Sequence, residues 1–244
     1  MQDIHNHIDG LKKKTVGFNA IEIIKFSYQE FGNRVNFASS LGEEDQVITD
    51  IISKTASKIE IFTLDTGRLY QESHDLLAKT QKRYNNLKYK IYSPDTSAVE
   101  KMVQECGINL FYESVQNRKL CCGIRKVEPL QRALKNVDAW ISGLRREQSL
   151  TRKDVETFEW DDANGKIKIN PLALWTLDDV RKYIAENKID VNVLHAKGFV
   201  SIGCAPCTRA IKPGEDIRAG RWWWEQPEHK ECGLHFRKPK TESK

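Results

Sequence analysis

RVNFASSLGEEDQVITDIISKT, residues 34–55, decides the fold. It begins as a short apolar run and ends as an amphipathic stretch, and the joint between them, Ser39-Ser40-Leu41-Gly42, is mostly small and polar. The spacing predicts a strand over 35–39 and a helix over 45–55. The same alternation continues to about residue 145. Strands are predicted at 59–64, 87–92 and 139–144, with amphipathic stretches at 70–84, 97–106 and 122–134 and another at 20–31 ahead of the first strand. Such alternation builds βαβ units, so the expected fold is α/β, an open, mostly parallel sheet sandwiched by helices. Beyond residue 150 the pattern changes. Asn164-Gly165 predicts a tight hairpin, 177–187 a helix, and from 191 onward periodicity fades into an ordered tail rich in Trp, Cys and basic residues.

The 244 residues are 39% hydrophobic and 30% charged, a balance that suits one globular domain with an appended segment. The 39 Lys and Arg against 34 Asp and Glu give a formal charge of +5, too mild an excess to require a nucleic-acid partner but compatible with a small anion. The start, MQDIHNHIDGLKKK, lacks the apolar core of a secretory leader, and no window approaches a membrane span. A cytoplasmic protein without membrane or nucleic-acid partners is expected.

In an open parallel sheet, ligands bind beyond the carboxyl ends of the strands, where strand order reverses. Three loops there are chemically loaded: SSLGEED, LDTG and GLRREQS. In the first, Ser39, Ser40 and Gly42 precede a helix N-terminus, whose free N–H groups favour an anion, while Glu43 and Glu44 oppose one. Asp45 suits either a hydrogen bond from a nucleotide or a helix cap.

Six cysteines in a chain without a leader read as metal-binding or catalytic. Cys121-Cys122 with Cys204-Ala-Pro-Cys207 could bring four thiolates together. Adjacent cysteines fit two corners of a four-iron cluster better than one zinc ion, though zinc and redox thiols remain open on spacing alone. Cys106 reads as a core residue. Lys126 follows Cys122 by one helical turn, which sets an ammonium beside the thiolates. Near the C-terminus Cys232 lies among Lys230, His235, Arg237 and Lys238, and such cations favour the nucleophilic thiolate. Arg218 with Arg221, and Arg145 with Arg146, offer guanidinium forks for sulfate or phosphate oxygens. Trp222, Trp223 and Trp224 are expected to pack rather than to stack on a ligand.

In order and spacing, SSLGEED, FTLDTGRLYQE, CCGIRKVEPL, WISGLRREQSLTR, NPLALW, GCAPCTRAIKPGEDIRAGRWWWE and KECGLH resemble the assimilatory adenylyl sulfate (APS) and phosphoadenylyl sulfate (PAPS) reductase family, from about Val35 to His235. The resemblance implies an adenine-nucleotide α-hydrolase-like fold with a modified pyrophosphate loop. It implies a nucleotide-binding reductase domain over 1–210 and a segment over 211–244 that carries the nucleophile. Its cluster-bearing branch has both CC and CxxC, which implies one 4Fe-4S cluster per chain on Cys121, Cys122, Cys204 and Cys207. Cys232 then matches the nucleophile; Lys126, Arg218, Arg221 and His235 match positions around sulfate and phosphate; and Ser39, Asp45, Leu64, Gly143 and Arg152 match those lining the nucleotide. The implied partners are APS and AMP, thioredoxin or glutaredoxin as reductant, and further copies in a homo-oligomer. Leu41 departs from the pattern, since many members have glycine after the hydroxyl residue. The alternatives are PAPS as substrate and, from a different class, a zinc-stabilised nucleotide-binding protein without turnover.

Overall fold

The strands are β1 (Val35–Ala38), β2 (Glu60–Leu64), β3 (Tyr89–Tyr92), β4 (Ala139–Ile141), β5 (Phe158–Asp161) and β6 (Lys166–Ile169). In this computed structural model, which describes residues 2–148 and 152–226, they form one sheet in the order β3-β2-β1-β4-β6-β5. Every neighbouring pair is parallel except β5 with β6. The central strands are buried on both faces, as parallel strands between helices must be: Phe37, Ile61, Phe62, Ala139 and Ile141 are fully covered. Edge strand β3 is half exposed, and its flank carries Lys88 and Lys90, both paired with Glu60; charge on an edge discourages further strand pairing. The Asn164-Gly165 turn closes the β5–β6 hairpin as expected, with Gly165 at φ +62, and β6 then joins the main sheet beside β4.

Helices α1 (Gln2–Lys14), α2 (Ala20–Phe31), α3 (Glu43–Thr55) and α8 (Leu177–Asn187) belong to one layer of the core. In α3 the residues Val47, Ile48, Ile51 and Ile52 are all essentially inaccessible, and each contributes about 1.5–3 kcal/mol by leaving water. Helix α2 starts where it does because Asn19 and Glu22 form a reciprocal capping box. The opposite layer holds α5 (Thr96–Cys106), α6 (Val115–Cys122) and α7 (Glu128–Leu134), with Leu130, Ala133 and Leu134 packed on Phe62 and Trp140, whereas α4 (Gln71–Arg83) lies beside α3, where Gln46 donates to the Thr80 hydroxyl and Tyr84 to Asp50.

Two elements depart from the sequence reading. Helix α1 was not anticipated, although Ile4, Ile8 and Leu11 recur on one face and Ile8 and Leu11 are buried. The single helix expected over 122–134 is instead α6, a π-helical turn at Gly123–Val127, and α7. The wider turn falls directly after Cys122 and carries Arg125 and Lys126, and such turns often mark functional sites.

Candidate active site

Strand order reverses between β1 and β4, so the crevice beyond their carboxyl ends is the expected ligand position. The loop after β1 turns sharply at Leu41, whose φ of +65 is left-handed, the conformation that glycine takes without strain. Leu41 is held there by burial against Leu76 and Leu77. Asp45 braces the loop from inside α3. Its carboxylate accepts hydrogen bonds from the Ser40 N–H and the Ser40 hydroxyl, both at 2.6 Å. Asp45 is therefore not the helix N-cap, and its carboxylate is held by Ser40. Gly42 holds the cap position. The β4 loop meets the same carboxylate: a Cβ on Gly143 would stand 2.1 Å from Asp45 Oδ1, so only glycine lets the two loops close on one another. The acids that would repel an anion are occupied, Glu44 by Arg145 at 2.8 Å and Glu43 by Arg181 at 3.7 Å.

Burial pushes the Asp45 carboxyl up to about 6, with Glu44 adding to the shift and Ser40 and Arg152 opposing it. A carboxyl raised in this way binds its proton more tightly folded than unfolded. Its stabilising effect is present below about pH 4 and lost as pH rises through about 6. Unfolding titrations should show wild type losing up to roughly 3 kcal/mol relative to Asp45→Asn between about pH 4 and 7. A difference that stays flat with pH would remove this account of Asp45.

Beyond β2 the chain meets the cysteines. Thr66 lies 3.2 Å from the Cys204 sulfur through its hydroxyl, and its carbonyl accepts from Arg125 Nη1 at 2.7 Å. Cys121, Cys122, Cys204 and Cys207 are all buried and line one cavity. Arg68, Arg118, Arg125 and Lys126 share its wall, Phe111, Pro206 and Trp222 complete it, and none of the lining residues is acidic. The four-thiolate constellation expected from CC and CxxC is thus assembled from two segments more than 80 residues apart, Cys121 and Cys204.

The electrostatics distinguish these sulfurs. Burial pushes the Cys204 thiol up, but Lys126, the Thr66 hydroxyl, Arg221 and Arg125 outweigh it and leave it below the ordinary range. Cys207 is pushed up to about 12, first by burial and then by Cys204. Cys121 is also raised, chiefly by burial, against Arg125. The protein's own cations therefore favour the Cys204 thiolate over those of Cys121 and Cys207, and four thiolates together call for a cationic centre among them. Among the described residues, no group of three or more His, Cys, Asp and Glu side chains is arranged to hold a metal ion. Four sulfurs lining a cavity, rather than meeting at a point, fit a group with several metal corners better than a mononuclear zinc.

The segment after the CxxC folds back upon it. Arg209 N–H donates to Gly220 O at 2.9 Å, Thr208 bridges to Arg221, and Trp222 N–H donates to Cys207 O at 3.2 Å. Arg221 is thereby buried against Gly203 and lies 4.7 Å from the Trp222 ring, close enough to act on Cys204 and Cys207. Arg218 is half-buried on the preceding turn. Trp222 packs as expected, Trp224 meets Tyr112 edge-on with ring centres 4.5 Å apart, and Trp223 is 39% exposed.

Lys126, Arg221 and the four cysteines thus come together, while Ser39, Asp45 and Gly143 gather at the neighbouring switch point. Leu64 ends β2 between the two regions. Arg152 donates to Gln148, which donates to Gly143 O, so it supports the β4 loop. Arg145 and Arg146 do not form an anion fork: Arg145 is closed on Glu44, and Arg146 donates to Val155 O. Cys106 packs at the margin of the cysteine pocket's apolar shell. Cys232 and His235 lie outside the described residues. Thr66, Arg68, Arg118 and Arg125 were missed; the usable signals were the LDTG loop for Thr66, the i+4 spacing of Arg125 from Cys121, and the one-turn spacing of Arg118 before Cys121 and Cys122.

Residues 34–210 match the phosphoadenosine phosphosulfate reductase domain family. The chain is 50% identical over 218 residues to adenosine 5'-phosphosulfate reductase of Allochromatium vinosum, covering 89% of this chain and 84% of that protein. It is 53% identical over 206 residues to the Burkholderia cepacia protein of the same name, covering 84% and 81%. Among solved structures, phosphoadenylyl-sulfate reductase from Candida auris, a phosphate complex, superposes with a TM-score of 0.73 at 31% identity over 84% of this chain and 97% of that one. FMN adenylyltransferase of Candida glabrata, at TM-score 0.55 and 15% identity over 87% of this chain and 75% of that one, shares the fold alone. With a parallel sheet whose switch-point loop stands beside a four-cysteine pocket, and with identity near one half over most of its length, this chain belongs to the adenylyl sulfate and phosphoadenylyl sulfate reductase family.

Proposed function

We propose that this chain is an adenylyl sulfate reductase that converts APS to sulfite and AMP in sulfate assimilation, upstream of cysteine synthesis. The single observation that carries the reading is the pocket of four buried cysteines walled by cations, in a chain about half identical to relatives named for this activity. Cys232 is the nucleophile. Its thiolate attacks the sulfur of APS, the bond from sulfur to the AMP phosphate oxygen breaks, AMP leaves with the electron pair, and the sulfonate remains on Cys232. A thiol of thioredoxin or glutaredoxin then attacks the Cys232 sulfur and displaces sulfite. The reductant's second thiol resolves the mixed disulfide, so the protein dithiol supplies the two electrons and Cys232 returns to the thiol state.

The chain's other residues bind and neutralise. Lys126, Arg218, Arg221 and His235 face the sulfate and phosphate oxygens, where crowded negative charge must be offset for an anion to attack an anion. Ser39, Asp45, Leu64, Gly143 and Arg152 shape the nucleotide site, Asp45 by bracing the loop from within. Cys121, Cys122, Cys204 and Cys207 hold one 4Fe-4S cluster, which fixes the pocket and sets its charge beside Lys126. Residues 1–210 act as the nucleotide-binding unit and 211–244 deliver the nucleophile. No described helix is long and apolar enough to cross a membrane.

Steady-state assay of anaerobically purified protein with reduced thioredoxin tests the reading. Sulfite should form from APS with a kcat/KM well above that for PAPS, from a brown protein carrying four irons per chain. A preference for the 3'-phosphorylated substrate would overturn the substrate assignment, and colourless protein with one zinc would overturn the cluster.

A further inference from the structure

Arg118 is more deeply buried than any other described arginine, at 1% exposure. From α6 its Nε donates to Glu225 Oε1 at 2.9 Å and its Nη2 to Oε2 at 2.8 Å, a two-pronged pair across 107 residues of sequence. Burying two charges so completely adds little net stability over a well-packed apolar pair, so its use is better sought in the geometry that it specifies. The same guanidinium lies 4.8 Å from the centre of the Trp222 ring. Trp222 has φ +40, a left-handed conformation that a bulky side chain keeps only where its surroundings impose it. Those surroundings are the Cys207 carbonyl, which accepts the Trp222 N–H, and Glu225, whose own N–H donates to Trp222 O at 2.8 Å. Arg118 also stands one turn before Cys121 and Cys122 and lines their cavity.

We propose that the Arg118–Glu225 pair, with Trp222 clamped over it, is the anchor that fixes where the C-terminal segment departs from the cysteine pocket. Arg118 is thereby a positioning residue for Cys232. This rests on Cys232 being the nucleophile. Cys232 follows Glu225 by seven positions, a span of at most about 25 Å. Holding its origin against the pocket wall keeps the thiolate at high effective concentration over the substrate. Release of the anchor moves the origin of that span, without altering the nucleotide site.

The test is single-turnover sulfonation of Cys232 by saturating APS without reductant, followed by quenched mass spectrometry, in wild type, R118M, E225Q and the apolar pair R118M/E225L. AMP affinity and Tm are measured alongside. Each single variant should lose roughly 10- to 100-fold in rate while AMP affinity stays within about threefold, as misplacement of a reacting group does. R118M/E225L should recover much of the Tm yet remain slow, which a merely structural role would not produce. Wild-type rates in the single variants, or recovery of rate together with Tm in the double variant, overturn the proposal. A wild-type protein that gains no sulfonate on Cys232 overturns the nucleophile assignment first, and the anchor with it, so the two failures are told apart by the wild-type control.

Discussion

Cys232→Ser should lower sulfite formation from APS by about four orders of magnitude or more, with AMP affinity unchanged. A serine hydroxyl is a far weaker nucleophile than a thiolate at neutral pH, and Lys230, Arg237 and Lys238, close by in sequence, stabilise a thiolate already formed but do not deprotonate a hydroxyl. The remaining machinery still binds and polarises APS, so only the covalent step is lost. An adenylating enzyme on the same fold would keep its activity in this variant. Sulfite assay with AMP calorimetry in parallel separates the two, and retention of even a tenth of wild-type turnover would exclude Cys232 from the chemistry.

Gly143→Ala is the second large effect, and it arises wholly in the fold. The added methyl would stand 2.1 Å from Asp45 Oδ1 and 3.1 Å from the Glu44 Cβ. Asp45 has nowhere to go, because it is 6% exposed and both Ser40 donors hold its carboxylate at 2.6 Å. Either the β4 loop lifts away from α3 or the Ser40 contacts break, and each opens the crevice at the switch point. Overpacking of this kind costs about 1–3 kcal/mol. AMP affinity should fall at least tenfold if, as proposed, the two loops that meet here frame the nucleotide. Chemical denaturation and calorimetry check both numbers. Unchanged AMP affinity would mean that the crevice between β1 and β4 is not the nucleotide site.

Much of this arrangement was legible in the sequence because it follows from local periodicity. Three of the four predicted strands appear within two residues of their spans, β4 starts at Ala139 as predicted but ends three residues early, and α2 and α8 coincide with theirs. The CC and CxxC pairs announced their meeting because adjacent cysteines have few other uses. What escaped depends on contacts far apart in sequence or on departures from regular geometry. No spacing rule reveals that Arg118 closes on Glu225, since each is an ordinary charged residue until the CxxC segment folds back. The π turn after Cys122 cannot be told from an α-helix by composition, yet it sets the directions of Arg125 and Lys126. Asp45 had the chemistry of a helix cap, but beneath Gly143 its carboxylate accepts from Ser40 instead and braces the loop. Arg145 and Arg146 looked like an anion fork because the sequence conceals that Glu44 and the Val155 carbonyl already occupy them.

The central claim is that one thiolate of this chain makes the bond to sulfur while the four pocket cysteines only prepare the site. Mass spectrometry of protein mixed with APS in the absence of any thiol tests it most directly. The account predicts a gain of one SO3 group, located on Cys232 and removed by reduced thioredoxin with release of sulfite. Modification of Cys121, Cys122, Cys204 or Cys207 instead, or AMP release with no covalent adduct, would contradict it.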